Sequence, residues 1–116
     1  MDRRSTRFVF GCLLGGAVGD ALGAPVEFFS LGQIRDRYGE TGITDFDELN
    51  SKGKAEFTDD TQMTLFTSEG LLIASEQAPF LSEGQTILAV HRAYLRWLET
   101  QSVSYPGQTA GNGTEG

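Results

Sequence analysis

The chain has 116 residues, a formal net charge of −7 and a sequence pI near 4.5. That length accommodates one modest core and leaves no room for a second domain. The acidic balance excludes an electrostatic nucleic-acid binder, which needs a basic face, and it is compatible with cation binding without demanding it.

Cys12 is the one cysteine, so no internal disulfide can form. Its apolar setting predicts a buried, inert thiol and a reducing, cytoplasmic compartment. Arg3, Arg4 and Arg7 precede an apolar run over 8–18, the layout of a signal peptide. Asp20 interrupts the stretch before the small residues, and Pro25 follows the best cleavage candidate, Ala24, so a protein without a leader is expected. The run is also shorter than the ~20 residues of a transmembrane helix. No association with a membrane is expected.

The first element is a buried helix over about 6–22, with Phe8, Val9, Cys12, Leu13, Ala17 and Ala21 giving a broad apolar surface. Gly11, Gly15, Gly19 and Gly23 recur every fourth position and share one face. Each helix-interior glycine costs ~1 kcal/mol relative to alanine, so the preferred reading is close approach of another helix along that face. The functional alternative is a ligand approaching near Gly19 and Gly23.

Pro25 ends this helix or opens the next turn. Ser30 is placed as an N-cap, and Gln33 completes a capping box for a short helix through Leu31, Ile34 and Tyr38 that stops at Gly39. Residues 40–57 show no period; Gly42, Asp45, Asn50 and Gly53 mark turns in a long connection. A third helix is expected over about 58–75, with Met63, Phe66, Gly70 and Ile73 on one stripe, Leu65 and Leu72 widening it, and Pro79 past its end. The fourth begins near Ser82, where Gln85 again completes a capping box, and buries Ile87, Val90, Tyr94, Trp97 and Leu98. His91, Arg92, Arg96 and Glu99 mostly face out. Residues 101–116 are glycine-rich and polar, and are expected to be a disordered tail. The expected architecture is all-α.

Chemistry concentrates in Phe57-Thr58-Asp59-Asp60-Thr61-Gln62-Met63. Two adjacent carboxylates and two hydroxyls at a helix start supply hard oxygen ligands suited to Mg²⁺, Mn²⁺ or Ca²⁺; too few His and Cys are present for zinc. The same residues are also ordinary for a helix N-terminus, which favours capping side chains and negative charge. A second cluster runs from Gly19 to Phe28. Asp20 is an acid inside an apolar helix, and a buried charge is costly unless paired; facing solvent or capping a neighbouring backbone is preferred for it over catalysis. Glu27 follows the proline turn, either as a surface carboxylate or, beside a metal, as a general acid or base.

Taken together, the segment from Gly11 to Gly23, then Pro25-Val26-Glu27-Phe28, then Phe57 to Met63 resembles the opening of an ADP-ribosylglycohydrolase of the dinitrogenase-reductase-activating type. Two motifs match in order and spacing over residues 5–100. The resemblance implies an all-α fold with two Mg²⁺ ions (Mn²⁺ being possible) in a central cleft, and an ADP-ribosylated protein or ADP-ribose derivative as substrate. It also implies hydrolysis of the N- or O-glycosidic bond at ribose C1. On this chain it implies Thr58, Asp59 and Asp60 as metal residues, with Asp60 and Glu27 catalytic, Glu27 helping to position or activate water or gating access. The role it implies for Asp20 is less defined.

The family's second metal motif, Asp-x-Asp-Thr, does not occur in the chain; Asp45-Phe46-Asp47-Glu48 has the acidic spacing, lacks the threonine and precedes the first motif. One side of a two-sided site is therefore expected, in a truncated product or fragment whose helices expose apolar stripes. The competing reading is a non-catalytic structural or ADP-ribose-binding protein on the same scaffold, as in crystallin relatives.

Overall fold

The computed structural model describes residues 5–77 and 82–101, and these form helices, turns and irregular connections with no strand among them. Four α-helices follow in order: α1 over Thr6–Gly23, α2 over Leu31–Tyr38, α3 over Asp59–Gln77 and α4 over Glu83–Thr100; a 3-10 turn, Ala24–Val26, follows α1. Helix α3 is described to Gln77, slightly past the expected end near 75, while Pro79 and the expected disorder of residues 102–116 lie outside the described residues.

Local signals account for the boundaries. Ser30 and Ser82 both close capping boxes, with Gln33 and Gln85 respectively returning a side-chain bond to the cap backbone. Helix α2 stops at Gly39, whose φ of 81° is open to glycine and costly for other residues. In the long connection, Gly42 and Gly53 also take positive φ. Asn50 organises the second of these turns: its side-chain oxygen accepts from the Lys52 and Lys54 amides, and its own amide donates to the Lys54 carbonyl. Asp47 accepts from Arg37 at 2.8 Å and from the Tyr38 hydroxyl at 2.6 Å, tying the connection back to α2. The Asp45–Glu48 stretch thus holds a structural anchor.

The principal packing is α3 against α4. Gly70 is buried, and a Cβ built there would stand 2.8 Å from the Cα of Val90. Ala74 and Ala93 are buried beside it, at 1% and 0% exposure, and are the buried hydrophobic residues among those described. Polar bonds extend the seam toward the N-terminus of α3 and the C-terminus of α4: Thr67 to Tyr94 at 2.7 Å, Arg96 to Glu69 at 2.9 Å, and the Trp97 indole to Gln62 at 2.9 Å.

Several expectations are corrected. Helix α1 is not buried: Phe8, Val9, Phe10, Leu14 and Val18 are exposed, and so is Cys12. Among the described helices its principal α-helical contact is with α3. The repeated glycine face meets no helix among the described residues, where a Cβ at Gly11, Gly15, Gly19 or Gly23 would have nothing within 4 Å. The close backbone approach occurs at Gly70 instead. In α4, Ile87 is 61% exposed; in α3, Leu65 and Leu72 are exposed. Small residues form the centre of the α3–α4 seam, which leaves the larger side chains at its margins.

Residues Thr6–Val26 are long and apolar enough, by length and composition alone, to cross a membrane, a longer stretch than the 8–18 run suggested. The ionised end of that stretch is engaged with protein, because Asp20 bonds to the start of α3.

Candidate functional site

Asp20 lies in the last turn of α1, and its carboxylate faces the N-terminus of α3. Its Oδ2 accepts from the Thr58 amide at 2.8 Å, the Thr61 amide at 3.2 Å and the Thr61 hydroxyl at 2.6 Å. Its Oδ1 accepts from the Thr58 hydroxyl at 2.7 Å. A helix N-terminus leaves its first amides without intrahelical partners. Here a side chain 38 and 41 positions away supplies the acceptor. Of the two settings preferred for Asp20 from the sequence, facing solvent or capping a neighbouring backbone, the structure shows the second, acting between helices.

Desolvation alone would push the Asp20 carboxyl upward, yet the bonds from the side chains and backbones of Thr61 and Thr58 outweigh it and hold the group below its ordinary 3.8. Thr61, whose hydroxyl the sequence counted among the hard oxygens of the motif, is the buried polar residue among those described. Its hydroxyl needs a partner in that position, and Asp20 is that partner. The readable signal was the pairing of one costly acid in an apolar helix with a threonine-rich helix start.

Thr58 Oγ1 also accepts from the Asp60 amide at 3.3 Å, so Thr58 sits between Asp20 and the first turn of α3. Asp59 and Asp60 occupy that turn, where their charge complements the positive end of the helix. An open groove of about 250 Å³ runs beside it, lined by Gly19, Asp20, Gly23, Ala24, Glu27 and Asp60. The 3-10 turn after α1 brings Glu27 to this groove, and α3 brings Asp60 to it from the other side. Asp59 is exposed and does not line it. Gly19 and Gly23 leave the wall of α1 bare at this level.

The donor set consists of hard oxygens: the Thr58 hydroxyl and the carboxylates of Asp59, Asp60 and Glu27. Among the described residues, no three or more Asp, Glu, His or Cys side chains converge as a ready metal cluster. Mg²⁺ is commonly bound through one or two carboxylates while keeping several waters. The residues fit that partial mode and do not form a closed cage.

The family model described as ADP-ribosylglycohydrolase matches residues 1–116. An uncharacterized protein of Archaeoglobus fulgidus is 46% identical over 66 residues, covering 53% of this chain and 20% of that protein. An ADP-ribosyl-dinitrogen reductase glycohydrolase of Rhodospirillum rubrum is 45% identical over 62 residues, covering 53% of this chain and 21% of that protein. The matched segment thus spans about a fifth of the length of either relative. No solved structure matches the chain. With the whole chain matched by the family model, and an all-helical arrangement among the described residues in which the end of α1 meets the acidic start of α3, the chain belongs to the ADP-ribosylglycohydrolase family.

Proposed function

We propose that this chain carries one side of a magnesium-dependent site that hydrolyses the N- or O-glycosidic bond between ADP-ribose and a protein side chain or small molecule. The observation that carries the reading is that Glu27 and Asp60, distant in sequence, line one groove whose wall includes Asp20, the residue that holds Thr58. Family membership and the name of the Rhodospirillum rubrum relative support the bond class.

Departure of the leaving group places positive, oxocarbenium-like character on the ribose. Bound Mg²⁺ or Mn²⁺ would order ribose hydroxyls and a water and lower the pKa of that water. Thr58 offers a neutral oxygen, and Asp59 and Asp60 offer anionic ones. Asp60 faces the groove and doubles as a catalytic carboxylate there. Glu27, which lines the same groove, positions the attacking water or takes its proton. The absence of an Asp-x-Asp-Thr motif from the sequence means that these residues supply the first set of ligands only. A cytoplasmic setting agrees with this substrate class.

The test is release of free ADP-ribose from ADP-ribosylated arginine protein, with and without Mg²⁺ or Mn²⁺, beside Asp60→Ala. Metal-dependent release that disappears in the variant supports an active site. A folded, helical chain that neither releases ADP-ribose nor binds the cation sinks the reading and leaves a structural role on the same scaffold.

A further inference from the structure

Asp20 receives more hydrogen bonds than any proposed catalytic residue needs, and they come from the segment that holds the proposed ligands. Its Oδ2 accepts three donors and its Oδ1 accepts the Thr58 hydroxyl. An ionised carboxylate is acceptor-only, with about four lone-pair sites, so four donors leave it little capacity to bind a cation or attack a substrate. Its effect falls instead on Thr58.

A threonine hydroxyl has one proton and two acceptor sites. The proton of Thr58 goes to Asp20 Oδ1 at 2.7 Å, and one acceptor site takes the Asp60 amide at 3.3 Å. The remaining site has no claim on it from these bonds. With Asp20 absent, the hydroxyl rotor is free to turn its proton toward the place a cation would occupy, which is the wrong polarity for a ligand. A hydroxyl that donates to an anion is also a better electron donor through its oxygen, by the logic that partners behind a ligand orient it and raise its basicity.

Resting on the reading of Thr58, Asp59 and Asp60 as a cation site, we propose that Asp20 is its positioning residue: by holding the hydroxyl proton of Thr58 and the amides of Thr58 and Thr61, it presents Thr58 oxygen-first to the cation and fixes the turn that carries Asp59 and Asp60. Thr61 is the second anchor of this arrangement. Its hydroxyl and amide both donate to Asp20 Oδ2, the oxygen that also accepts from the Thr58 amide, which leaves Oδ1 to the Thr58 hydroxyl.

The proposal separates from simple helix capping in a measurable way. Capping predicts a loss of stability, whereas positioning predicts a loss of cation affinity beyond it. Ser82 caps α4 in the same chain, far along the sequence from the acidic motif, so Ser82→Ala serves as a capping-loss control. The experiment is calorimetric titration of the full chain with Mn²⁺ and with Mg²⁺, for wild type, Asp20→Asn, Thr61→Val and Ser82→Ala. Circular dichroism and amide hydrogen exchange of Thr58 and Thr61 are followed on the same samples.

Asp20→Asn should bind the cation about 10- to 100-fold more weakly, the usual effect of losing a partner behind a ligand, while remaining helical and losing protection at the Thr58 and Thr61 amides. Thr61→Val should lose part of that affinity. Ser82→Ala should lower the melting temperature and leave affinity unchanged. Equal affinity in wild type and a folded Asp20→Asn overturns the positioning role alone, as does equal loss in Ser82→Ala. Should Asp20→Asn fail to fold, unchanged affinity in folded Thr61→Val overturns it. Wild type that binds neither cation overturns the cation reading itself, and the proposal with it.

Discussion

Gly70 lies against the backbone of Val90, so close that a Cβ at position 70 would stand 2.8 Å from the Val90 Cα and 3.0 Å from the Ala89 carbonyl oxygen. Backbone atoms cannot swing aside as a side-chain tip can. Gly70→Ala should therefore destabilise the chain by about 1–3 kcal/mol, the usual cost of overpacking, even though alanine is the better helix former. Gly15→Ala should do the opposite. Nothing lies within 4 Å of a Cβ at that position, so the substitution should add up to ~1 kcal/mol from helix propensity. Thermal melts of the two variants give the test; a Gly70→Ala variant as stable as wild type would mean that the α3–α4 seam is looser than described.

The hydroxyls of Thr67 and Tyr94 are 2.7 Å apart across the same seam. Thr67 gives its single proton to the Met63 carbonyl at 2.8 Å, so Tyr94 is the donor between them. Tyr94→Phe removes that donor and leaves Thr67 still bonded to its own helix. The expected cost is about 0.5–1.5 kcal/mol, read as a shift in the urea midpoint. The reciprocal Thr67→Val should cost a similar amount or more, because it leaves the Tyr94 hydroxyl without an acceptor. A Tyr94→Phe midpoint equal to wild type would remove this bond from the account of the seam.

Local chemistry made the helix ends legible. Ser30, Gln33 and Gly39, and then Ser82 and Gln85, carry their signals within four residues of the boundary they set, and the structure uses each of them. Which face of a helix meets which neighbour depends on partners remote in sequence, and there the reading failed. Gly15 and Gly70 are both glycines within helical patterns, yet only Gly70 meets another backbone. The site divides the same way. Composition and order picked out Thr58, Asp59, Asp60 and Glu27, and the groove joins Glu27 to Asp60. The bonds from Thr61 to Asp20 span 41 positions. No local period encodes such a pair.

Asp47 and Tyr38 form a hydrogen bond whose strength changes with pH at both ends of the scale. Donation from the Tyr38 hydroxyl, aided by the nearby Arg37 guanidinium, outweighs desolvation and holds the Asp47 carboxyl below its ordinary 3.8. A carboxylate with a lowered folded pKa stabilises the fold above its unfolded pKa, and that contribution disappears as pH falls through the folded value. The same bond, with desolvation, pushes the Tyr38 phenol above its ordinary 10.0. The neutral phenol is thus favoured in the fold, so its contribution is present below the unfolded pKa and is lost as pH rises through the folded one. Asp47→Asn should flatten the part of the acid-side fall in melting temperature that lies below pH 3.8, and should lower the pH at which Tyr38 ionises, followed by ultraviolet absorbance. Identical acid profiles and identical phenol titration in the two proteins would dissociate the connection from α2.

Asp60 and Glu27 line the same groove but should fail differently when altered. Asp60→Ala removes an anionic oxygen from the first turn of α3, and cation affinity depends on ligand charge. The loss should be at least about tenfold, the lower bound seen when a mere supporting partner is removed. Glu27→Gln keeps size and shape and removes only the capacity to hold or take a proton. It should leave Mg²⁺ affinity close to wild type and slow ADP-ribose release by roughly 10²–10⁴, the range for losing a general acid or base. Calorimetry with Mg²⁺ and a release assay on the same preparations separate the two effects. If Asp60→Ala binds Mg²⁺ as tightly as wild type, the helix start is a capped terminus and not a ligand set. If Glu27→Gln releases ADP-ribose at the wild-type rate, Glu27 borders the groove without handling a proton, and the base must be sought on another wall of the complete site.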